Sequence, residues 1–155
     1  MRKLFLIFGL IFSTVFTVSS QEISVNAIGI RFGDNSGLGG EISYQALMGY
    51  SSRLEIDLGL RSKSGEDSLK ATGIFQWVWS LGNRFNWYAG FGGGIGNFRV
   101  NGTAKIFFFG TGDIGIEYNF EAPILISLDY RPEYGFNNVY KGLNSDIALS
   151  VRYQF

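Results

Sequence analysis

The sequence predicts an all-β protein: a closed eight-stranded antiparallel up-and-down transmembrane β-barrel, preceded by a cleaved signal peptide. The chain of 155 residues starts with a short apolar segment behind two basic residues. The remainder alternates apolar and polar residues in segments of about ten residues, the length of a membrane-spanning strand. The apolar face of these segments carries no charge. A charge on a lipid-facing position costs about 2–4 kcal/mol at the bilayer midplane, so a charge-free face favours a membrane barrel.

Residues 1–20 have the organisation of a signal peptide. Two basic residues precede the apolar run Leu4–Val18, and small residues follow at the position of a cleavage site. The run has 15 residues and is short for a membrane-spanning helix. We therefore expect cleavage after Ser20 and export of one mature domain, residues 21–155. An uncleaved membrane anchor is the alternative.

Segments with strict alternation follow, and Gly, Asn and Ser separate them. The pattern is clearest at Arg53–Arg61 and Asp146–Phe155, where every second residue is apolar or aromatic. The predicted strands are residues 24–32, 38–47, 53–61, 69–80, 85–96, 106–119, 124–131 and 145–155. Longer, more polar loops are expected near 62–68, 97–105 and 132–144.

Alternation alone leaves the direction of the apolar face open. A soluble barrel turns its apolar residues inward, whereas a membrane barrel turns them toward lipid. The polar face holds many Gly, Ser and Ala residues besides its charges, and these suit a narrow lumen better than a solvated surface. Trp and Tyr gather near the segment ends, as in the interfacial girdles of membrane barrels. We therefore expect the apolar face to meet lipid.

Composition excludes several classes of function. The chain has no Cys and no His, which removes disulfides, His-ligated zinc sites and the Ser-His and Cys-His hydrolases. The formal net charge of zero argues against a nucleic-acid-binding protein, which would carry an excess of basic residues. Carboxylate pairs on one face leave acid–base chemistry open, but no nucleophile–base pair accompanies them. We expect a protein without enzymatic activity, cofactor or metal site.

The inward face carries a nearly balanced set of ionisable residues. Seven acids and six bases are expected there, and five of the bases are Arg, which suits multidentate pairing with carboxylates. We interpret them as a salt-bridged plug; an ion path gated by the same pairs is the alternative. Asp129 is expected to pair with Arg152 or Arg131. The predicted lumen charge network is Arg31, Glu41, Arg53, Glu55, Asp57, Arg61, Lys70, Asp113, Glu117, Asp129, Arg131, Asp146 and Arg152.

The chain resembles the small outer-membrane β-barrels of Gram-negative bacteria, typified by OmpX and the OmpA membrane domain. The resemblance covers the mature chain and rests on strand number, alternation, the stretch Leu128–Pro132 and the ending Tyr153-Gln154-Phe155. It implies an outer-membrane location, and it implies that Tyr153 and Phe155 form the insertion signal read by the outer-membrane assembly machinery. Such barrels serve as adhesins, structural proteins, pores and enzymes, so the fold alone does not define the function.

The expected function is that of a structural or surface-interaction protein whose extracellular loops contact outer-membrane lipid, lipopolysaccharide or an extracellular partner. The candidate contact residues in the predicted loops are Phe98, Tyr134, Phe136 and Tyr140. A small ion or solute channel is the first alternative. A soluble exported barrel of the lipocalin type, with an apolar ligand, is the second.

Overall fold

The computed structural model describes residues 26–33, 39–63, 66–100, 103–138 and 140–155, with side chains for these residues except 61–67 and 98–100. The signal peptide expected at residues 1–20 lies outside the described residues. Within them, no helix is long and apolar enough to cross a membrane. The strands are β1 Asn26–Gly33, β2 Gly39–Leu47, β3 Ser52–Lys63, β4 Glu66–Gly82, β5 Phe85–Val100, β6 Thr103–Asn119, β7 Ile124–Asn137 and β8 Tyr140–Gln154.

The strands form one closed barrel in which sequence neighbours pair antiparallel and β8 pairs with β1. The closing ladder runs from Ala27 opposite Gln154 to Gly33 opposite Ala148. A closed sheet pairs its backbone groups internally, as the hydrocarbon core of a membrane requires. The predicted barrel is confirmed.

Strands β3 to β8 extend further toward one end of the barrel than the alternation predicted. β7 runs to Asn137 and β8 begins at Tyr140, so the loop expected at 132–144 is a tight hairpin. The loops expected at 62–68 and 97–105 are likewise mostly strand. The prediction for β7 was wrong because Pro132 was taken as the end of the strand. In the structure the β6–β7 ladder is interrupted at Pro132, where a residue without an N–H is tolerated.

The two faces of each strand differ in chemistry. On β3 the outward Leu58 and Leu60 are exposed, whereas the inward Glu55 and Asp57 are buried. Most of the buried side chains in the described residues are polar or charged. The apolar face therefore points outward, and the soluble barrel with an apolar interior is excluded.

Aromatic side chains form a belt at one end of the barrel, which we name the base; it holds the turns 48–51, 83–84 and 120–123. Trp79 and Trp87 stack with ring centroids 4.4 Å apart. Phe85 and Tyr118 lie 4.7 Å apart. Rings of this kind favour the membrane–water interface. The belt comprises Trp79, Phe85, Trp87, Tyr118, Phe120, Tyr153 and Phe155, and the opposite end of the barrel is named the mouth.

Candidate functional site: the lumen and its mouth

The predicted lumen residues lie inside the barrel wherever their side chains are described. Twelve of the thirteen are buried, each at most 6% exposed. The side chain of Arg61 lies outside the described part of the chain. Their common orientation follows from the period of two along a strand.

Arg31 on β1 is the first centre of this network. Its Nη2 donates to Asp129 Oδ1 at 2.5 Å. Its Nη1 donates to Glu41 Oε2 at 2.9 Å and to Asp146 Oδ2 at 2.7 Å. One guanidinium therefore joins carboxylates from β2, β7 and β8.

Asp129 has one of its two expected partners and a closer one that was not expected. Arg131 Nε lies 3.4 Å from Asp129 Oδ1, as expected, but Arg31 of β1 makes the shortest contact. β8 separates β7 from β1, and it places the small Ala148 directly opposite Asp129. The long arginine side chain of β1 can therefore reach over β8, a contact that adjacency of strands does not predict.

Arg131 on β7 is the second centre of the network. Its Nη1 donates to Asp57 Oδ2 at 2.5 Å. Because Asp129 contacts both Arg31 and Arg131, the two centres form one continuous network. The four carboxylates around the Arg131 guanidinium are those of Glu55, Asp57, Asp113 and Asp129.

Amides and two further arginines continue the network toward the base. Arg53 Nε donates to Gln76 Oε1 at 2.6 Å, and Arg53 Nη1 lies 2.8 Å from Glu117 Oε2. The amides are not part of the predicted network, which comprises ionisable side chains only. Besides Arg131, the side chains that donate to Glu55 are Gln45, Gln76 and Arg152.

Acids outnumber bases among the described lumen side chains. Eight carboxyl groups and five cationic groups are buried there. The excess differs from the predicted near balance because Glu133 is also inside and Arg61 is not described. Each central arginine is accordingly shared by several carboxylates.

A different cluster fills the mouth. Lys70 on β4 pairs with Glu133 on β7, and Tyr140 Oη donates to Glu133 Oε2 at 2.7 Å. The rings of Phe107 and Phe109 are buried, with centroids 4.8 and 6.1 Å from that of Tyr140. Lys70 Nζ lies 4.6 Å from the Phe109 centroid. We name these five residues the mouth cluster.

Most of the mouth cluster was not predicted from the sequence. Tyr140 was placed in a loop, yet it belongs to β8 and packs inside the mouth. Glu133 was not predicted because the predicted strand seven ended at residue 131. Glu133 lies two residues after the inward Arg131 and therefore points to the same face of the strand. Of the other expected loop residues, Tyr134 and Phe136 are exposed on β7, and Phe98 lies in β5 with its side chain outside the described set.

Glycines on β5 make room for the aromatic rings. A Cβ on Gly94 would lie 2.7 Å from Phe109 Cε1, and one on Gly96 would lie 2.6 Å from Phe107 Cε1. Real side chains do not approach so closely, so a larger residue would displace the rings. Side chains of the neighbouring strand β6 occupy this space. The expected occupants were long side chains from strands on the opposite side of the barrel.

The tip of the β7–β8 hairpin is fastened to the mouth. Gly135 pairs with Gly142, which has a φ of +88°, a conformation that favours glycine. Asn137 Nδ2 donates to the carbonyl of Ile106 on β6 at 2.8 Å. Tyr140, at the start of β8, therefore lies over the phenylalanine rings of the mouth cluster.

No metal centre is visible in the described part of the chain, where no group of three or more His, Cys, Asp or Glu side chains is arranged to hold an ion. The lumen carboxylates contact arginines, glutamines and hydroxyl groups. The lumen carboxylates are therefore arranged to pair with cationic and polar side chains and not to coordinate a metal ion.

Solved barrels with the same fold were found by structural comparison. The N-terminal β-barrel domain of Pseudomonas aeruginosa OprF matches with a TM-score of 0.73 and 12% identity, over 84% of this chain and 96% of that one. Neisserial surface protein A matches with a TM-score of 0.63 and 14% identity, over 84% and 94%. Ail of Yersinia pestis matches with a TM-score of 0.55 and 15% identity, over 85% and 97%. No protein-family model and no curated protein sequence matches.

The fold, the apolar exterior, the aromatic belt and the charged interior define the chain as an integral β-barrel of the outer-membrane type. The resemblance to OmpX and the OmpA membrane domain is confirmed at the level of the fold. Identities of 12–15% carry no further than that.

Proposed function

We propose that the protein is a non-enzymatic outer-membrane barrel with a plugged lumen, which acts as a structural or surface-interaction protein through its mouth. The carrying observation is the unbroken chain of contacts from Arg31 through Asp129, Arg131 and Glu55 to the base. A buried charge without a partner is costly, so arginines that each contact several carboxylates favour a network that fills the cross-section. In this proposal no continuous water path crosses the lumen.

A small channel is the second candidate, and buried polar atoms without a hydrogen bond favour it. Five such atoms occur among the described residues, and they include Asp57 Oδ1, Tyr88 Oη and Ser150 Oγ. Such groups are positions where internal water binds. In a channel these waters would belong to a continuous path, whereas in a plug they stay isolated.

Conductance in planar bilayers separates the two candidates. We expect the wild-type protein to insert without producing steady current, while an open porin in the same bilayer shows the detection limit. The double variant Phe107→Ala/Phe109→Ala opens the mouth but leaves the arginine network in place, so it is also expected to be silent. Steady, ion-selective current from the wild type would replace the plug with the channel.

We further propose that the mouth faces the outside of the cell. The supporting observation is that Phe155 lies at the base, where the proposed insertion signal of Tyr153 and Phe155 would meet the assembly machinery. The chain has no native cysteine, so a membrane-impermeant maleimide can report single introduced ones. On intact cells, Asn138→Cys at the mouth should be labelled and Glu121→Cys at the base should not. The reverse pattern would invert the orientation.

Removal of residues 1–20 also remains a proposal, supported by the basic start, the apolar run and the small residues near Ser20. N-terminal sequencing of the membrane-purified protein should begin at Gln21. An intact Met1 would show that the segment stays as an anchor.

A further inference from the structure

Within the residues that the structure describes, the barrel wall is of unequal height around the mouth. β1 has 8 residues and β2 has 9, whereas β6 has 17 and β8 has 15. β8 pairs with β1 only from Ala148 to Gln154, so the segment Tyr140–Ile147 extends beyond the described end of β1. The halves of β6, β7 and β8 near the mouth therefore form a surface that extends beyond the described ends of β1 and β2.

The outward side of this surface is apolar. The Phe136 ring packs over Gly110: a Cβ added to Gly110 would lie 3.3 Å from Phe136 Cζ. The centroids of the Phe136 and Tyr134 rings lie 5.7 Å apart. The exposed fractions of the apolar residues there run from 53% to 74%. The wall patch, as we name this surface, consists of Ile106, Phe108, Tyr134, Phe136 and Leu143.

Lys141 borders the wall patch on the mouth side. Lys141 pairs directly with Phe136 in the β7–β8 ladder, and it is exposed. It has no carboxylate within ion-pair distance among the residues that the structure describes. Its ammonium group is therefore available to an anion.

The position of Lys141 along the barrel axis matches the headgroup layer. Tyr153 of the base belt and Leu143 lie ten residues apart on β8. A strand rises about 3.4 Å per residue and tilts by about 40°, so this separation spans roughly 25 Å along the axis. That height equals the apolar band of an outer-membrane barrel, about 25 Å. Lys141 lies two residues beyond Leu143 and so stands just above the acyl chains.

We propose that the wall patch and Lys141 bind a phosphorylated lipid of the outer leaflet, with acyl chains against Phe108 and Phe136 and a headgroup phosphate at Lys141. The patch is continuous with the lipid-covered exterior, and the unpaired cation complements the phosphate at the right height. The inference deepens the proposed surface role by naming the class of partner, and it rests on the mouth facing outward. It does not depend on the plug.

Lipid retention by the full-length protein tests this site. The protein is reconstituted in phosphatidylcholine vesicles containing lipid A and extracted gently, and the lipid A held per barrel is counted by mass spectrometry. A lysine near a membrane surface contributes about 1 kcal/mol, so Lys141→Gln should lower the affinity for lipid A about fivefold. Phe136→Ala should also lower retention. Lys105→Gln, an exposed lysine on β6, and Leu60→Ala, an exposed apolar residue on β3, are the matched controls and should retain lipid A like the wild type.

Three outcomes would overturn the proposal. Unchanged retention by Lys141→Gln would remove the phosphate contact. An equal loss in Lys105→Gln would show general attraction of anions instead of a site. Disulfide crosslinking of two barrels through Phe136→Cys, with lipid A retention unaffected, would make a second copy the occupant. Lipid retention is measured without any current. A wild-type protein that conducts would therefore contradict the plug but would not affect the lipid A result.

Discussion

The middle of the lumen and its mouth are filled in different ways. In the middle, Arg31 and Arg131 contact three and four carboxylates, and both contact Asp129. At the mouth, the described ion pair between Lys70 and Glu133 lies against aromatic rings. The difference teaches that arginines shared by several carboxylates fill the middle of the lumen, whereas aromatic rings supply much of the packing at the mouth. Loss of one group should therefore cost more in the middle.

The largest effect is expected for Arg131→Met. The substitution keeps the length of the side chain but removes the cation that four buried carboxylates share. Removing one partner of a buried charge pair costs about 3–5 kcal/mol, and this loss should appear in the free energy of unfolding by urea in lipid vesicles.

Arg84→Met is the matched control, because Arg84 pairs with Glu121 at the exposed base, where the side chains are 39% and 82% exposed. Exposed pairs contribute about 0–1 kcal/mol. Similar losses for the two variants would mean that water solvates the middle of the lumen as it solvates the base.

A smaller effect is expected for Glu133→Gln at the mouth. The amide can still accept a hydrogen bond from Tyr140, but it no longer neutralises Lys70. Because the amide keeps a polar group opposite Tyr140 and Lys70, the cost should stay at about 1–3 kcal/mol. A loss greater than that of Arg131→Met in the same urea titration would reverse the ranking of the two regions.

Tyr140→Phe sharpens the account of the mouth. It removes one hydrogen bond, from Tyr140 Oη to Glu133 Oε2, and keeps the ring against Phe107. A typical hydrogen bond contributes about 0.5–1.5 kcal/mol, and we expect a loss in that range. A loss near that of Glu133→Gln would assign the stability of the mouth to the hydroxyl rather than to the ion pair.

The smallest effect is expected in the middle, for Ser150→Ala. The hydroxyl is buried and has no partner among the described residues, so its removal leaves no charge unpaired. The change in unfolding free energy should stay within about 0.5 kcal/mol. A clear loss would show that Ser150 holds a water that the network requires.

Period-two alternation predicted the barrel and the faces of its strands well. Residues such as Leu58 and Asp57 differ so strongly in polarity that adjacent positions identify opposite faces. Strand ends were harder to predict, because Pro132 resembles a stop and only the tertiary ladder shows the interruption that accommodates it. Glu133 and Tyr140 were therefore assigned to a loop that the barrel does not contain.

Pairing inside the lumen was the least predictable part. The sequence indicates that Asp129 points inward, but its partner depends on reach across the barrel and on the small residue at Ala148. Strand adjacency favoured Arg131 or Arg152, and the structure places Arg31 closest. Such contacts are set by three-dimensional packing, which a pattern along one strand does not record.

A double-mutant cycle on Arg31 and Asp129 tests the plugged, mutually paired lumen most directly. The variants are Arg31→Met, Asp129→Leu and the double variant, each unfolded by urea in lipid vesicles. In a dry network each single variant leaves a buried charge unpaired and costs about 3–5 kcal/mol, whereas the double variant should cost less than the sum of the two by about 1–3 kcal/mol. Small, additive losses of about 1 kcal/mol or less would show that both charges are solvated by water in an open lumen.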